Sequence, residues 1–143
     1  MVVEHQTIKK LLDYLELTLI QGEEMKFSDE EFLSNPDINQ LFDRRLELAI
    51  ECCIDMANHI AAALSFPSRD TAAEVFFTLG EKGIIHKDLA QKFKKIVGLR
   101  NVLVHRYIDI DHKIILEGKK QDFKDIREFA KAFANFLEQN PNL

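Results

Sequence analysis

The sequence predicts an all-α fold, a bundle of four main helices with short extra helices between them. Three observations carry that prediction. Apolar residues recur at three- and four-residue spacing along nearly the whole chain, the period of a helix with one buried face. Only 5 glycines and 3 prolines punctuate 143 residues. No Asn-Gly or Asp-Gly pair marks a tight hairpin.

The elements follow in order. Ile8, Leu11, Leu12, Leu15 and Leu19 form the apolar stripe of a first helix that ends near Gly22. Ser28-Asp29-Glu30-Glu31 is a capping-box pattern that opens a short helix. Asn35-Pro36 is a second start signal, because Asn caps well and Pro suits the first helical turn. From there a long helix should run to Leu64. One face carries Ile38, Leu41, Leu48, Cys52, Met56, Ile60 and Ala63. A second row of Leu46, Ile50, Ile54, Ala57 and Ala61 makes it broad enough to be central. Its polar stripe is Glu47, Glu51, Asp55 and His59, four residues apart. Phe66-Pro67-Ser68 breaks the chain, and Thr71 with Glu74 is another capping box for a helix that stops near Gly80 and Gly83. Leu89, Phe93, Ile96, Val97 and Leu103 mark the next helix. A short element from Asp111 to Leu116 is expected to stop at Gly118. A last amphipathic helix carries Phe123, Ile126, Phe129, Phe133, Phe136 and Leu137 and ends before Asn140-Pro141. Residues 1–143 read as a single domain, without repeat or linker.

Composition narrows the class. With 46% hydrophobic and 30% charged residues, the chain can bury a core and is not intrinsically disordered. No apolar run approaches the ~18 residues needed to cross a bilayer. The N-terminus mixes acidic and basic residues and lacks a cleavage-site pattern, so the expected location is cytoplasmic, with no membrane partner. Cys52 and Cys53 are neighbours outside any CxxC pattern and read as small core residues; no metal-ligand spacing is present and no cofactor is implied. The net charge of −5 argues against a non-specific nucleic-acid binder. It is unevenly spread. From His86 to Arg106 there are six Lys and Arg against Asp88 alone, a local +5 that suits either phosphate contact or a solvated helix face.

One segment gathers chemistry: Arg100-Asn101-Val102-Leu103-Val104-His105-Arg106-Tyr107. It holds a permanent cation, an amide, an imidazole and a phenol within eight residues. Lys94, Gly98, Asn101 and His105 share one helical stripe. Gly98 costs about 1 kcal/mol against Ala in a helix interior, so a close neighbour on that face is expected to want the room. Arg100 and His105 lie about 140° apart on a regular helix and do not converge unless the helix ends there or two copies face each other. The residue types suit metal-free cleavage of a phosphodiester. Imidazole exchanges the protons, and guanidinium meets the charge that builds on phosphate oxygens. His5, His86 and His112 read as surface or loop residues.

The block Arg100-x4-His105-x-Tyr107 resembles the R-x4-6-H signature of the HEPN superfamily and, more narrowly, the R-x4-H-x-Y form of its HepT branch. The run from Ala49 to Ile60 resembles that branch's long second helix. Phe76 to Ile84 resembles its F-x-x-L-x-E-x-G-I stretch. The resemblance implies a HEPN-type bundle that forms a two-fold dimer, with both copies of the motif lining a cleft. It implies a metal-independent endoribonuclease acting on an RNA substrate, the toxin of a toxin–antitoxin pair. The implied antitoxin is an MntA-like nucleotidyltransferase that silences the toxin by placing AMP on the motif tyrosine. Carried onto this chain, Arg100 stabilises the phosphate, His105 is the general acid or base, Asn101 helps hold the phosphate and Tyr107 accepts AMP. Glu51 and Asp55 either orient Arg100 or His105, or belong to an exposed acidic stripe. Two other readings stay open: a non-catalytic helical module that pairs with and regulates a nucleotidyltransferase, and a helical scaffold in which the motif is a structural network.

Overall fold

The computed structural model describes residues 2–67 and 70–142, and six helices lie among them. They are α1 (Val2–Glu23), α2 (Asp29–Ser34), α3 (Pro36–Ala63), α4 (Ala72–Glu81), α5 (Lys87–His105) and α6 (His112–Gln139). The long α1, α3, α5 and α6 are the four main helices of the expected all-α bundle; α2 and α4 are the short extras. α3 is central and packs against each of the other five.

Local chemistry sets several boundaries where the sequence placed them. The Ser28 hydroxyl accepts the Glu31 N–H at 3.1 Å, and the Ser28 N–H donates to Glu31 Oε1 at 3.2 Å, so the box at α2 is complete. Asn35 Oδ1 accepts the Asp37 N–H at 3.0 Å and starts α3, with Pro36 in its first turn. Buried Asn39 donates to the Phe32 carbonyl at 3.0 Å, which ties α3 to α2.

Three expectations are corrected. The element from Asp111 to Leu116 does not stop at Gly118: α6 runs through it as one helix of 28 residues. A Cβ on Gly118 would sit 3.1 Å from Asp122 Oδ2, so the glycine leaves room for a buried carboxylate one turn later and does not terminate the helix. Thr71 makes no side-chain cap on α4. Glu74 instead reaches back to accept the Asp70 N–H at 3.1 Å, so the cap comes from the acidic residue alone. Leu41 is 45% exposed, because the buried row of α3 runs one residue later, through Phe42, Leu46, Ala49, Cys53, Met56 and Ile60. Ser68, in the expected chain break, lies outside the described residues.

The core is rich in phenylalanine. At one end Phe32, Phe42 and Phe123 meet edge to face, with Phe27 stacked on Phe32. At the other, Phe76, Phe93, Phe129 and Phe133 form a chain of rings with centroids 4.5 to 5.5 Å apart. Such pairs add about 0.5–1.5 kcal/mol each beyond area burial. This second cluster fixes the register of α5, because Phe93, Ile96, Val97 and Leu103 are all buried against it or beside it. Arg127 on α6 donates through Nε to both Glu23 oxygens, at 3.0 Å each, and binds the end of α1. No helix among the described residues is long and apolar enough to cross a membrane.

Candidate functional site

The buried face of α5 dictates what its other face shows. With Phe93, Ile96, Val97 and Leu103 turned inward, Gly98, Asn101 and His105 must turn outward, and all three are exposed. With Val102 and Arg106 they line an open groove of about 540 Å³. Arg106 ends α5, its N–H bonded to the Val102 carbonyl at 2.9 Å. The floor is bare at Gly98, where a Cβ would meet nothing within 4 Å. Among the described residues, none supplies the expected close neighbour: the open space faces outward. Lys94 is exposed on the same stripe but is not a wall of the groove.

Arg100 faces elsewhere. Its side chain is 18% exposed, and its Nε stands 3.2 Å from Glu51 Oε1 on α3. The Nε–H does not point along that line, so the contact is an ion pair without a hydrogen bond. Arg100 is not a wall of the groove that holds Asn101 and His105. Within one chain the structure thus keeps the two motif residues apart, as helix geometry requires. Asp55 is exposed one turn beyond Glu51; among the described residues the carboxylate paired with Arg100 is Glu51. The Asp55 charge helps burial push the Cys52 thiol up to about 11. Burial also raises the fully buried Cys53 thiol well above its ordinary value.

The basic window is partly neutralised across the bundle. Lys92 lies 3.7 Å from Asp125 and Lys95 lies 4.0 Å from Asp122, both on α6. Both carboxylates are buried. Burial pushes the Asp122 carboxyl up, and Lys95 pulls it partly back.

Tyr107 follows the end of α5 and is 71% exposed. It does not line the His105 groove. It stands at a second cavity of about 330 Å³, bounded by α3, Leu103, Ile110 and His112. His112 is the first residue of α6, and its Nε2 lies 2.9 Å from Asp43 Oδ2. Asp43 is 8% exposed; burial raises its carboxyl and the neighbouring His112 lowers it in part. The reading of His112 as a loop residue is corrected here. Its partner is 69 residues away, and no local spacing announces such a pair. Among the described residues, no three His, Cys, Asp or Glu side chains gather as a metal site requires.

A family model described as ribonuclease HepT-like matches residues 6–133. The chain belongs to that family. It is 31% identical over 84 residues to the mRNA nuclease HepT of Shewanella oneidensis, a stretch covering 59% of this chain and 63% of that protein. It is 35% identical over 82 residues to the tRNA nuclease HepT of Aphanizomenon flos-aquae, 57% of this chain and 56% of that one. The matches thus span less than two-thirds of each relative's length. The fold extends further: a tri-AMPylated Shewanella oneidensis HEPN toxin solved in complex with MNT antitoxin superposes with a TM-score of 0.69 at 23% identity. That match covers 94% of this chain and 96% of the toxin. The all-helical HEPN-type architecture expected from sequence is thereby shown.

Proposed function

We propose that this chain is the toxin of a toxin–antitoxin pair, a metal-independent endoribonuclease whose site forms between two copies. The observation that carries the reading is the exposed His105 in an open groove floored by Gly98, on a chain of the ribonuclease HepT-like family. The nuclease names of two relatives support the activity, and the AMP-bearing toxin of like fold supports the mode of silencing.

His105 takes the proton from a ribose 2′-hydroxyl, and the freed oxygen attacks the neighbouring phosphorus. The 5′-oxygen leaves with a proton given by the His105 of a second copy. Two imidazoles then act as base and acid in one cleft, which one chain alone cannot supply. Arg100 meets the negative charge that develops on the phosphate oxygens, and Glu51 holds the guanidinium ready for it. Asn101, on the groove wall, donates its amide to the same phosphate. Bare space at Gly98 admits the facing copy or the RNA backbone. AMP on Tyr107 adds negative charge and bulk beside a site built for phosphate, and so repels it. The antitoxin that transfers it is an MntA-like nucleotidyltransferase, and both act in the cytoplasm.

The test uses purified chain, single-stranded RNA and a metal chelator. Cleavage that persists with chelator and falls after AMP transfer is expected. Intact mass should rise by whole AMP units with ATP and an MntA-like nucleotidyltransferase, and not in Tyr107→Phe. Absence of cleavage by unmodified protein contradicts the enzyme reading and favours the binding module.

A further inference from the structure

The cavity beside Tyr107 contains a pair that the proposed RNA chemistry does not use. Asp43 and His112 come from α3 and the start of α6, and their contact of 2.9 Å is held between packed helices. An ionised carboxylate only accepts hydrogen bonds. With Asp43 ionised, Nε2 of His112 carries the proton in this contact and donates it to the carboxylate. In the neutral ring that leaves Nδ1 as a lone pair, and among the described residues the ring's hydrogen bond is the one through Nε2 to Asp43. The ring is 25% exposed, so it borders the cavity without being sealed in the core. Its edge contact with Phe32, centroids 5.9 Å apart, fixes its plane. A carboxylate that sets the tautomer of an imidazole and leaves its far nitrogen free is the arrangement that makes histidine a proton acceptor.

The group that shares this cavity and has a proton to lose is the phenol of Tyr107. Phenol ionises near pH 10, so at neutral pH it is a weak nucleophile without a base. We propose that His112 is the general base for nucleotidyl transfer onto Tyr107, with Asp43 as its positioning residue. The Tyr107 oxygen forms a bond to the α-phosphorus of ATP, the bond from that phosphorus to the bridging oxygen breaks, and pyrophosphate leaves with the electron pair. The phenolic proton passes to His112 Nδ1. Asp43 stays ionised and steadies the imidazolium that forms. The inference rests on the reading of Tyr107 as AMP acceptor and adds to it a residue on the acceptor's own chain.

The other charged groups facing the cavity are Arg44 and Glu47 on α3, and they neutralise each other as an ion pair. Asp111 caps α6 through the Lys113 N–H at 3.0 Å and is occupied there. His112 is thus the basic group in the cavity that is free to take a proton.

The experiment follows intact mass against time for wild type, His112→Gln and Asp43→Asn, each with ATP and an MntA-like nucleotidyltransferase, from pH 6.5 to 9.5. At neutral pH His112→Gln should gain AMP at least tenfold more slowly, and Asp43→Asn should be slowed less, in keeping with the usual size of general-base effects, about 10²–10⁴. The deficit of His112→Gln should shrink toward pH 9.5, where hydroxide can take the phenolic proton in place of the imidazole. A structural role would not produce that alkaline rescue. Modification of both variants at the wild-type rate, or a slowing that is equal at every pH, overturns the inference. Wild-type protein that takes no AMP overturns the reading of Tyr107 itself and this inference with it. Should His112→Gln fail to fold, the Asp43→Asn rates and their pH dependence decide.

Discussion

Gly98→Ala should make the protomer more stable and the protein less active. Gly98 lies inside α5, away from either end, where glycine costs about 0.8–1 kcal/mol relative to alanine. Nothing in the chain opposes the added methyl group, since a Cβ there has no neighbour within 4 Å. Its backbone is ordinary helix, not left-handed; Gly83 is the glycine with positive φ. The full propensity gain of about 1 kcal/mol should therefore appear, worth about 3 °C in Tm for a chain of this size. The same methyl projects into the groove that holds Asn101 and His105, where RNA or a second copy approaches under the proposed function. The assay pairs thermal unfolding at a dilution that separates copies with RNA cleavage at working concentration. A higher Tm with weaker cleavage is the expected result. A lower Tm in dilute protein would refute the reasoning, because it would mean that the chain itself packs against Gly98.

Further outcomes follow from the same structure. Glu51→Gln removes a half-exposed ion pair and should cost less than about 1 kcal/mol in unfolding free energy. Its RNA cleavage should fall by more than that loss explains, because Arg100 is released. Asp122→Asn tests the sign of a buried charge. Burial raises this carboxyl in the folded state above its ordinary value of 3.8. A carboxyl raised on folding gives up stability as pH climbs from the unfolded value through the folded one. The variant should thus gain on wild type as urea titrations move from pH 3.8 toward neutrality, and match it below. Cys52, pushed up to about 11, and Cys53, also raised by burial, should resist thiol reagents at pH 8 in the native protein and react at once in denaturant. Rapid native labelling would show that α3 opens.

What the sequence made legible was local. Ser28 with Glu31, and Asn35 before Pro36, are each complete within a few residues, so their helix starts needed no knowledge of the fold. The motif stripe was legible for the same reason: Gly98, Asn101 and His105 share a face whatever α5 packs against. The misreadings arose where tertiary context outweighed a local signal. Gly118 looked like a stop, yet its missing side chain admits Asp122 one turn on, facing Lys95 of another helix. Leu41 looked like core because the apolar surface of α3 is wide. Which edge of that surface is covered depends on α1, α5 and α6, not on α3. Asp43 and His112 were invisible as a pair for the plainest reason: nothing in either stretch of sequence points to the other.

Under the proposed function, His105 cleaves RNA from an exposed position that the fold does not need. One measurement addresses it directly: cleavage of single-stranded RNA by His105→Ala beside wild type, with helicity and Tm recorded on the same samples. His105 is exposed at the last position of α5, so the variant should unfold within a degree or two of wild type. The expected result is a folded protein whose cleavage drops by at least about a hundredfold. A folded His105→Ala protein that cuts RNA at the wild-type rate would contradict it.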